Sequence, residues 1–533
     1  MTEQTTSSVL LLAIGIFFIA LFKIIIYPAL FSPLSSIPVA HPLARYTSLW
    51  ILWTRYSDRE SQRIHASHQR LGPVVLLGPN EVSVNCVDGG IRTIYGAGFE
   101  KHEYYKAFTY FDGIDNMFST LDKKTHAARR RLVSKVYSKS HVENSASLAS
   151  STETILLDRF MVILTKFAAN RESVDIFALL GAVTTDLLTS YQFGLRSGDD
   201  LLTNAERWNE FLDLYLRRDS CMFWKQELPE LTRIFGELGF HVISPRKIEG
   251  HEEIEWWLLQ RLRGVENGMS QLPSQVSSIP EVYSQMSSAL HRIKASHSIA
   301  TDSKELEREI ASEMIDHLIA GFELTSIALL YYIYELSRHP HIQRLLRHEL
   351  CGLRLINGIP CPKALDAAPL LTATVQETLR LHPSLPGPQP RRSPPKGCTL
   401  GPPGSPYEWH IPGGVRVSAQ PHSLHRNAEI FESPDEWLPD RWLREAADEE
   451  LRAMNRWFWA FSSGSRMCVG KHLALYIMKS VIWSIYAHFT TEITDHSGML
   501  DTSLYIPPPR QNMLLVKLVA VPHEAESVEQ ASA

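Results

Sequence analysis

Apolar and polar positions divide the chain into three regimes: an unbroken apolar run, a long stretch of helical periodicity, and a Pro/Gly-rich stretch with short strand patterns. The run is Val9–Phe22, VLLLAIGIFFIALF, which continues after Lys23 as Ile24-Ile25-Ile26-Tyr27. With Lys23 able to snorkel, roughly 20 such residues cross a hydrocarbon core. The pattern predicts a transmembrane anchor over residues 9–29 behind a lumenal stub of residues 1–8. A cleaved signal peptide is the competing reading, but it wants a basic start. The residues before Val9 hold Glu3 and no Lys or Arg. Lys23, Arg45, Arg55 and Arg59 follow the run, so the positive-inside rule puts the large C-terminal body in the cytosol.

Residues 30–50 are Pro- and Ser-rich and read as a hinge before a body of residues 51–522. Pro73 to Asn85 alternates as two short strands around Gly78-Pro79-Asn80. Helical periodicity holds from about Lys123 to Arg263, with breaks near Leu228-Pro229 and Ser244-Pro245. The Ser-rich residues 267–303 read as a surface loop. From Lys304 to Arg338 no proline interrupts, and His339-Pro340 stops the helix. Its middle, Ile315 to Tyr332, is apolar nearly all round, which predicts burial on most sides. Further helices are expected at 341–353, 366–380 and 471–489, with short strands such as Gly414 to Ser418 in the Pro/Gly-rich stretch between 381 and 442. The polar residues 523–533 are expected to be disordered. The fold class is therefore mainly α with small β elements.

Composition narrows the function by exclusion. A net charge of -5 with no basic arm speaks against a nucleic-acid partner. Six scattered cysteines (Cys86, Cys221, Cys351, Cys361, Cys398 and Cys468) in 533 residues do not make a secreted disulfide framework. No G-x-G-x-x-G unit is present, so no nicotinamide- or flavin-binding module of that type is expected in the chain.

One cysteine sits in unusual company. Phe461-Ser-Ser-Gly464-Ser-Arg466-Met-Cys468-Val-Gly470 leads directly into the helix starting near Lys471. A thiolate there is stabilised by the helix dipole and by unpaired backbone N–H groups. Gly464 and Gly470 permit close approach of backbone to a flat group. Arg466 offers a fork suited to a carboxylate, and Phe461 can shield the sulfur. A lone cysteine is most often an inert buried thiol; the whole string argues otherwise. It resembles the heme-binding loop of cytochromes P450, F-x-x-G-x-R-x-C-x-G, at all its fixed positions.

The resemblance extends over nearly the whole chain after the anchor. It implies the cytochrome P450 fold, heme b (iron protoporphyrin IX), and Cys468 as the proximal ligand, whose thiolate favours O–O cleavage. Glu377-Thr-Leu-Arg380 resembles the family's E-x-x-R, and Pro439-Asp440-Arg441-Trp442 its P-E-R-F segment with Asp for Glu. Glu377, Arg380 and Arg441 are then implied to form a buried charge network. His126-Ala-Ala-Arg-Arg130 stands where the family often has W-x-x-x-R, implying His126 and Arg130 as propionate partners, with a solvated helix face as the alternative. Arg391 resembles the family's strand arginine, and Arg392 competes with it.

Ala320-Gly321-Phe-Glu323-Leu324-Thr325-Ser326 resembles A-G-x-[D/E]-T-[T/S]. There Gly321 would open space over the heme, and Glu323 and a following Thr would deliver protons to bound dioxygen. Leu324 stands where that Thr belongs, and the hydroxyl comes one residue later at Thr325. One residue is about 100° of rotation, so Thr325 serves only if the helix widens locally; otherwise it bonds back to a carbonyl one turn earlier, and water or a substrate hydroxyl relays the proton. Tyr104 to Phe118, Phe322 and Pro383 to Pro388 are the expected walls of an apolar pocket. The resemblance implies a monooxygenase in the endoplasmic reticulum membrane, single-pass, acting on a lipophilic molecule of secondary metabolism. Electrons would come from NADPH–cytochrome P450 reductase, with cytochrome b5 as a second donor. A non-catalytic heme protein and a heme-thiolate isomerase or dehydratase are the competing readings.

Overall fold

The computed structural model describes residues 14, 15, 19, 21–219, 222–269, 279–296, 303–445, 447–499 and 514–521. Most of the apolar run 9–29 and all of the tail 523–533 lie outside them. The end of that run is described, as a helix over Phe22–Phe31 with Phe22, Ile25, Tyr27, Leu30 and Phe31 exposed.

The body is mainly helical, and five helices build the site: α1 (Lys123–Val133), α2 (Ile176–Phe193), α3 (Ser303–Arg338), α4 (Pro369–Leu381) and α5 (Lys471–Tyr486). Proline explains the boundaries. His339-Pro340 ends α3, and Pro340 and Pro369 each open the helix that follows, where a missing N–H costs nothing. Pro229 and Pro245 likewise open helices, so the two expected breaks are helix starts. α2 begins at Asp175, whose carboxylate accepts the Phe177 N–H at 3.1 Å. α2 and the middle of α3 are buried almost throughout and form the centre of the main core, which α5 also enters. By length and apolarity α3 alone among the described helices could cross a membrane, but it is the buried core helix of this body.

Four short strands form a sheet in the order β1-β2-β4-β3: β1 (Val74–Gly78), β2 (Glu81–Val84), β3 (Arg391–Arg392) and β4 (Arg416–Ser418). β2 and β4 run parallel and the other pairs antiparallel. A second sheet joins Ser173–Asp175, Leu515–Ala520 and Phe489–Asp495.

Two expectations are corrected. Residues 34–44 are not a free hinge: Leu34, Ile37, Ala40 and Ala44 are buried, and Pro38 and Ala40 exchange backbone bonds with Leu76 on β1 (2.9 and 3.0 Å). The body therefore begins near Leu34 rather than at residue 51. Nor are residues 267–303 mainly loop, since Glu281–Ser296 is a helix. Serines hid an apolar spacing there, with Val282, Tyr283, Met286 and Leu290 buried against the core.

Candidate functional site

The cysteine loop is fixed by its own backbone and by Tyr95. Cys468 N–H donates to Phe461 O at 3.0 Å, closing the loop, and Gly470 O accepts from Ala474 at the start of α5. Gly464 has φ +71, and a Cβ there would stand 2.1 Å from the Tyr95 carbonyl. Its glycine is demanded by this contact with another protein segment, not by a cofactor as the sequence suggested. Gly470 is the opposite case, since a Cβ there would meet nothing within 4 Å. Cys468 retains accessible surface although protein surrounds it, so its surface belongs to an internal hollow. Burial pushes its thiol up, against the pull of the Gly470 and Lys471 N–H groups and of Arg130. Phe461 is part-buried beside the loop.

The scaffold behind the loop is a buried charge network. Glu377 and Arg380 on α4 are fully buried and paired twice at 2.8 Å. The Glu377 carboxylate also accepts from Arg441 Nε (3.2 Å), Trp442 Nε1 (2.8 Å) and Leu438 N–H (2.9 Å). Arg380 donates its remaining bonds to the carbonyls of His425, Pro434 and Glu436. His425 carries the connection onward. Trp459 N–H donates to its Nε2 at 2.7 Å, so the ring proton sits on Nδ1 and donates to Arg380 O at 2.9 Å. Burial, then the charge of Arg380, push His425 down to about 3, which keeps it neutral. Trp459 in turn stacks near Tyr95 and bonds Ser463 inside the loop. The sequence reading found the three charged members, and Trp442 closes the motif that carries Arg441, but His425 and Tyr95 have no motif of their own.

Basic side chains converge on the same hollow. Arg130 on α1 donates to Met467 O (2.6 Å), and Arg466 to the carbonyls of Thr120 and Leu121 (2.7 and 2.6 Å). Arg391, buried on β3, donates to the Tyr105 hydroxyl at 2.8 Å and lies over the Tyr95 ring. Arg392 points outward to Glu103, which decides between the two arginines. Lys101, missed in the sequence, is buried, pairs with Arg391 in a β-bridge and donates to Phe118 O. Burial and then Arg391 and Arg466 hold its ammonium well below the usual lysine range. His126 is pushed down to about 3 by burial, then by Arg466, Lys101, Arg130 and Arg391. These cations spend their bonds on carbonyl and phenol oxygens rather than on carboxylates. Such an excess of buried positive charge fits a ligand that brings carboxylates of its own, and with Cys468 the donor set fits heme.

Above the loop, α3 presents one line of residues. Ala320 is exposed and Asp316 and Leu324 part-exposed, at i-4 and i+4 from it; in the stretch Ile310–Ile333 only Gly321 besides these three is not buried. The helix is α throughout, so no widening brings Thr325 round. At 100° per residue Thr325 lies about 140° from Ala320, and Glu323 about 60°; both are buried. Gly321 is part-exposed beside Ala320, and its missing Cβ would stand 2.8 Å from Leu188 Cδ1, so it also lets α2 approach α3. Phe322 packs among Trp208, Phe211 and Tyr215 in the aromatic core, not on a pocket wall. Tyr104 and Tyr105 are also buried, whereas Ser384, Leu385 and Pro386 stay part-exposed after α4.

Known proteins agree with this architecture. The cytochrome P450 family profile matches residues 42–515, and the chain belongs to the cytochrome P450 family. It is similar to the cytochrome P450 monooxygenase hkm5 of Aspergillus hancockii, 28% identical over 486 residues, 87% of this chain and 86% of that protein. It is likewise similar to the monooxygenase avaI of Aspergillus versicolor, 28% identical over 78% of this chain and 95% of that protein. A third relative, the monooxygenase tazI of Aspergillus terreus, is 24% identical over 90% and 92% of the two chains. The protein is an oxidoreductase of the monooxygenase class, and the family implies a heme cofactor.

Proposed function

We propose that this protein holds heme b through Cys468 and inserts one oxygen atom of O2 into a lipophilic small molecule of fungal secondary metabolism. The observation that carries the reading is Cys468 with accessible surface in its loop beside Arg130, which belongs with Lys101, Arg391 and Arg466 to one cluster of basic side chains around His126 that no carboxylate among the described residues neutralises by hydrogen bonding. When bound, the heme supplies oxygen activation, which a thiolate ligand favours. The chain's residues do the rest. Arg130, Arg391, Arg466 and Lys101, with His126 beside them, would hold the two propionates. Glu377, Arg380 and Arg441 keep the loop's support rigid. Glu323, about 60° round α3 from Ala320, would serve as a proton reservoir, and Asp316, one turn before Ala320, is a second carboxyl on that face.

Electrons would come from NADPH through a separate reductase, with cytochrome b5 as a second donor. A single anchor over residues 9–29 would hold the protein in the endoplasmic reticulum membrane with its body cytosolic. The apolar exposed end of that run supports this, as do exposed Trp53 and Tyr56 beside Phe223, and exposed Leu231, Ile234, Leu238 and Phe240. Leu324 in place of a hydroxyl favours a second reading, a heme-thiolate isomerase or dehydratase. The deciding experiment is the optical spectrum of the reduced, CO-bound protein, expected to carry the strongly red-shifted thiolate band. Its absence ends the proposal. Oxygen uptake that depends on NADPH and reductase is expected as well; its absence in protein with the red-shifted band leaves the second reading.

A further inference from the structure

We propose that Ser384 supplies the hydroxyl that Leu324 lacks, as a positioning residue for proton delivery in the hollow; the inference rests on the heme-thiolate reading above. Ser384 Oγ donates to the Leu324 carbonyl at 2.8 Å, across 60 residues of sequence. It therefore sits against the turn of α3 that carries exposed Ala320 and part-exposed Leu324, the turn that on the heme-thiolate reading faces the hollow. The segment carrying it is part-exposed from Ser384 to Pro386 between buried Pro383 and Gly387, in a stretch where most neighbours are buried. The other hydroxyls nearby are worse placed. Ser326 is fully buried with its proton on the Phe322 carbonyl at 2.6 Å, and Thr325 is buried on the far side of the helix.

The bond is also one that can be exchanged. In a regular helix the Leu324 carbonyl takes the N–H of Ala328 as well, so it keeps a partner if Ser384 turns away. A hydroxyl has one proton and two lone pairs. While Ser384 donates to Leu324 O, its lone pairs can accept from a water in the hollow. On rotating, Ser384 would give its proton to dioxygen already reduced by the external donor, the water would return a proton to Ser384, and bulk solvent would reprotonate that water. Ser384 is unchanged over the cycle. The two electrons that monooxygenation needs come from the external one-electron donor, and Ser384 affects only the path of the protons.

Carbon monoxide and dioxygen serve as probes, so no substrate is needed. In the reduced CO complex, the infrared C–O stretch of the wild type is expected to have a component sensitive to D2O. Ser384→Ala should lose that component, Ser384→Thr should keep it, and Ser384→Ala with Leu324→Thr should regain it. The dioxygen complex should decay several-fold faster in Ser384→Ala and return toward the wild-type rate in the double variant. A residue that merely ties the two segments together would not be rescued by a threonine at 324. If Ser384→Ala does not fold, Leu324→Thr alone decides. With Ser384 already serving, it changes the decay less than two-fold, whereas a tenfold slowing overturns the inference. An unchanged C–O stretch and decay in Ser384→Ala also overturn it. Both outcomes are read in protein with the red-shifted CO band; loss of that band in the wild type is failure of the heme-thiolate reading instead.

Discussion

Glu377 is the carboxylate on which the buried network converges. Its two oxygens take five hydrogen bonds, from Arg380 twice, Arg441, Trp442 and the Leu438 backbone, with no exposed surface. Burying a carboxylate is costly by itself, and here two guanidinium groups and two neutral donors offset that cost. Removing it leaves Arg380 and Arg441 in the interior without their anion, which costs about 3–5 kcal/mol. Glu377→Ala should therefore lose most of its heme content, read as absorbance of the CO band per mole of protein. Trp442→Phe, which removes one neutral donor to a charged group, should cost about 1.5–3 kcal/mol and keep partial heme content. Normal heme content in Glu377→Ala would disprove the scaffold role.

At the scale of elements, the close crossing of α2 and α3 sets where the line Asp316, Ala320 and Leu324 faces. Gly321 makes that crossing possible, because a methyl there would meet Leu188 Cδ1 and Cδ2 at 2.8 and 2.9 Å. The atoms in the way are the ends of a side chain in a close-packed core, so the strain is real but bounded. Gly321→Ala is expected to destabilise by about 1–3 kcal/mol through overpacking. Adding Leu188→Ala makes room for the new methyl, and the double variant should be more stable than the sum of its parts predicts. Additive effects, measured by urea unfolding, would mean the two helices do not touch there.

At the scale of the molecule, neutral histidines make the fold sensitive to acid. His68 is buried, its Nδ1–H donates to Gly72 O, its Nε2 accepts from the Ser83 hydroxyl, and it is pushed down to about 4, mainly by burial. His425 is pushed down to about 3. Both take up protons near pH 6.5 when unfolded and resist them when folded. Unfolding then binds protons, and each histidine removes about 1.4 kcal/mol of stability per pH unit below 6.5. For His68 the loss ends near pH 4, and for His425 near pH 3. Asp186 opposes this, because burial pushes it up to about 8: its folded form takes up a proton as pH falls through about 8, and its contribution to stability grows until the unfolded form is protonated near pH 4. Two histidines outweigh one carboxyl, so the urea midpoint should fall from pH 7 to pH 5, and less steeply in His68→Gln. A midpoint independent of pH in that window would refute the account.

The sequence by itself determined the long core helix, the two strands around Gly78-Pro79-Asn80, the cysteine loop and the E-x-x-R pair. Each of these is local, resting on proline placement, an alternation, or a short string of residues whose chemistry is readable in one dimension. It did not reveal Lys101, Tyr95, His425 or Ser384, whose roles come from partners tens to hundreds of residues away. Nor did it show that Gly321 and Gly464 make room for Leu188 and Tyr95, or that Phe322 packs among Trp208, Phe211 and Tyr215. A glycine announces only that a Cβ is unwelcome, and an aromatic only that it is large; what each one meets is decided by which helix or loop packs against it. Cofactor-loop chemistry is written in sequence spacing, whereas the facing of α3 and the hydroxyl beside Leu324 exist only once distant segments are packed together.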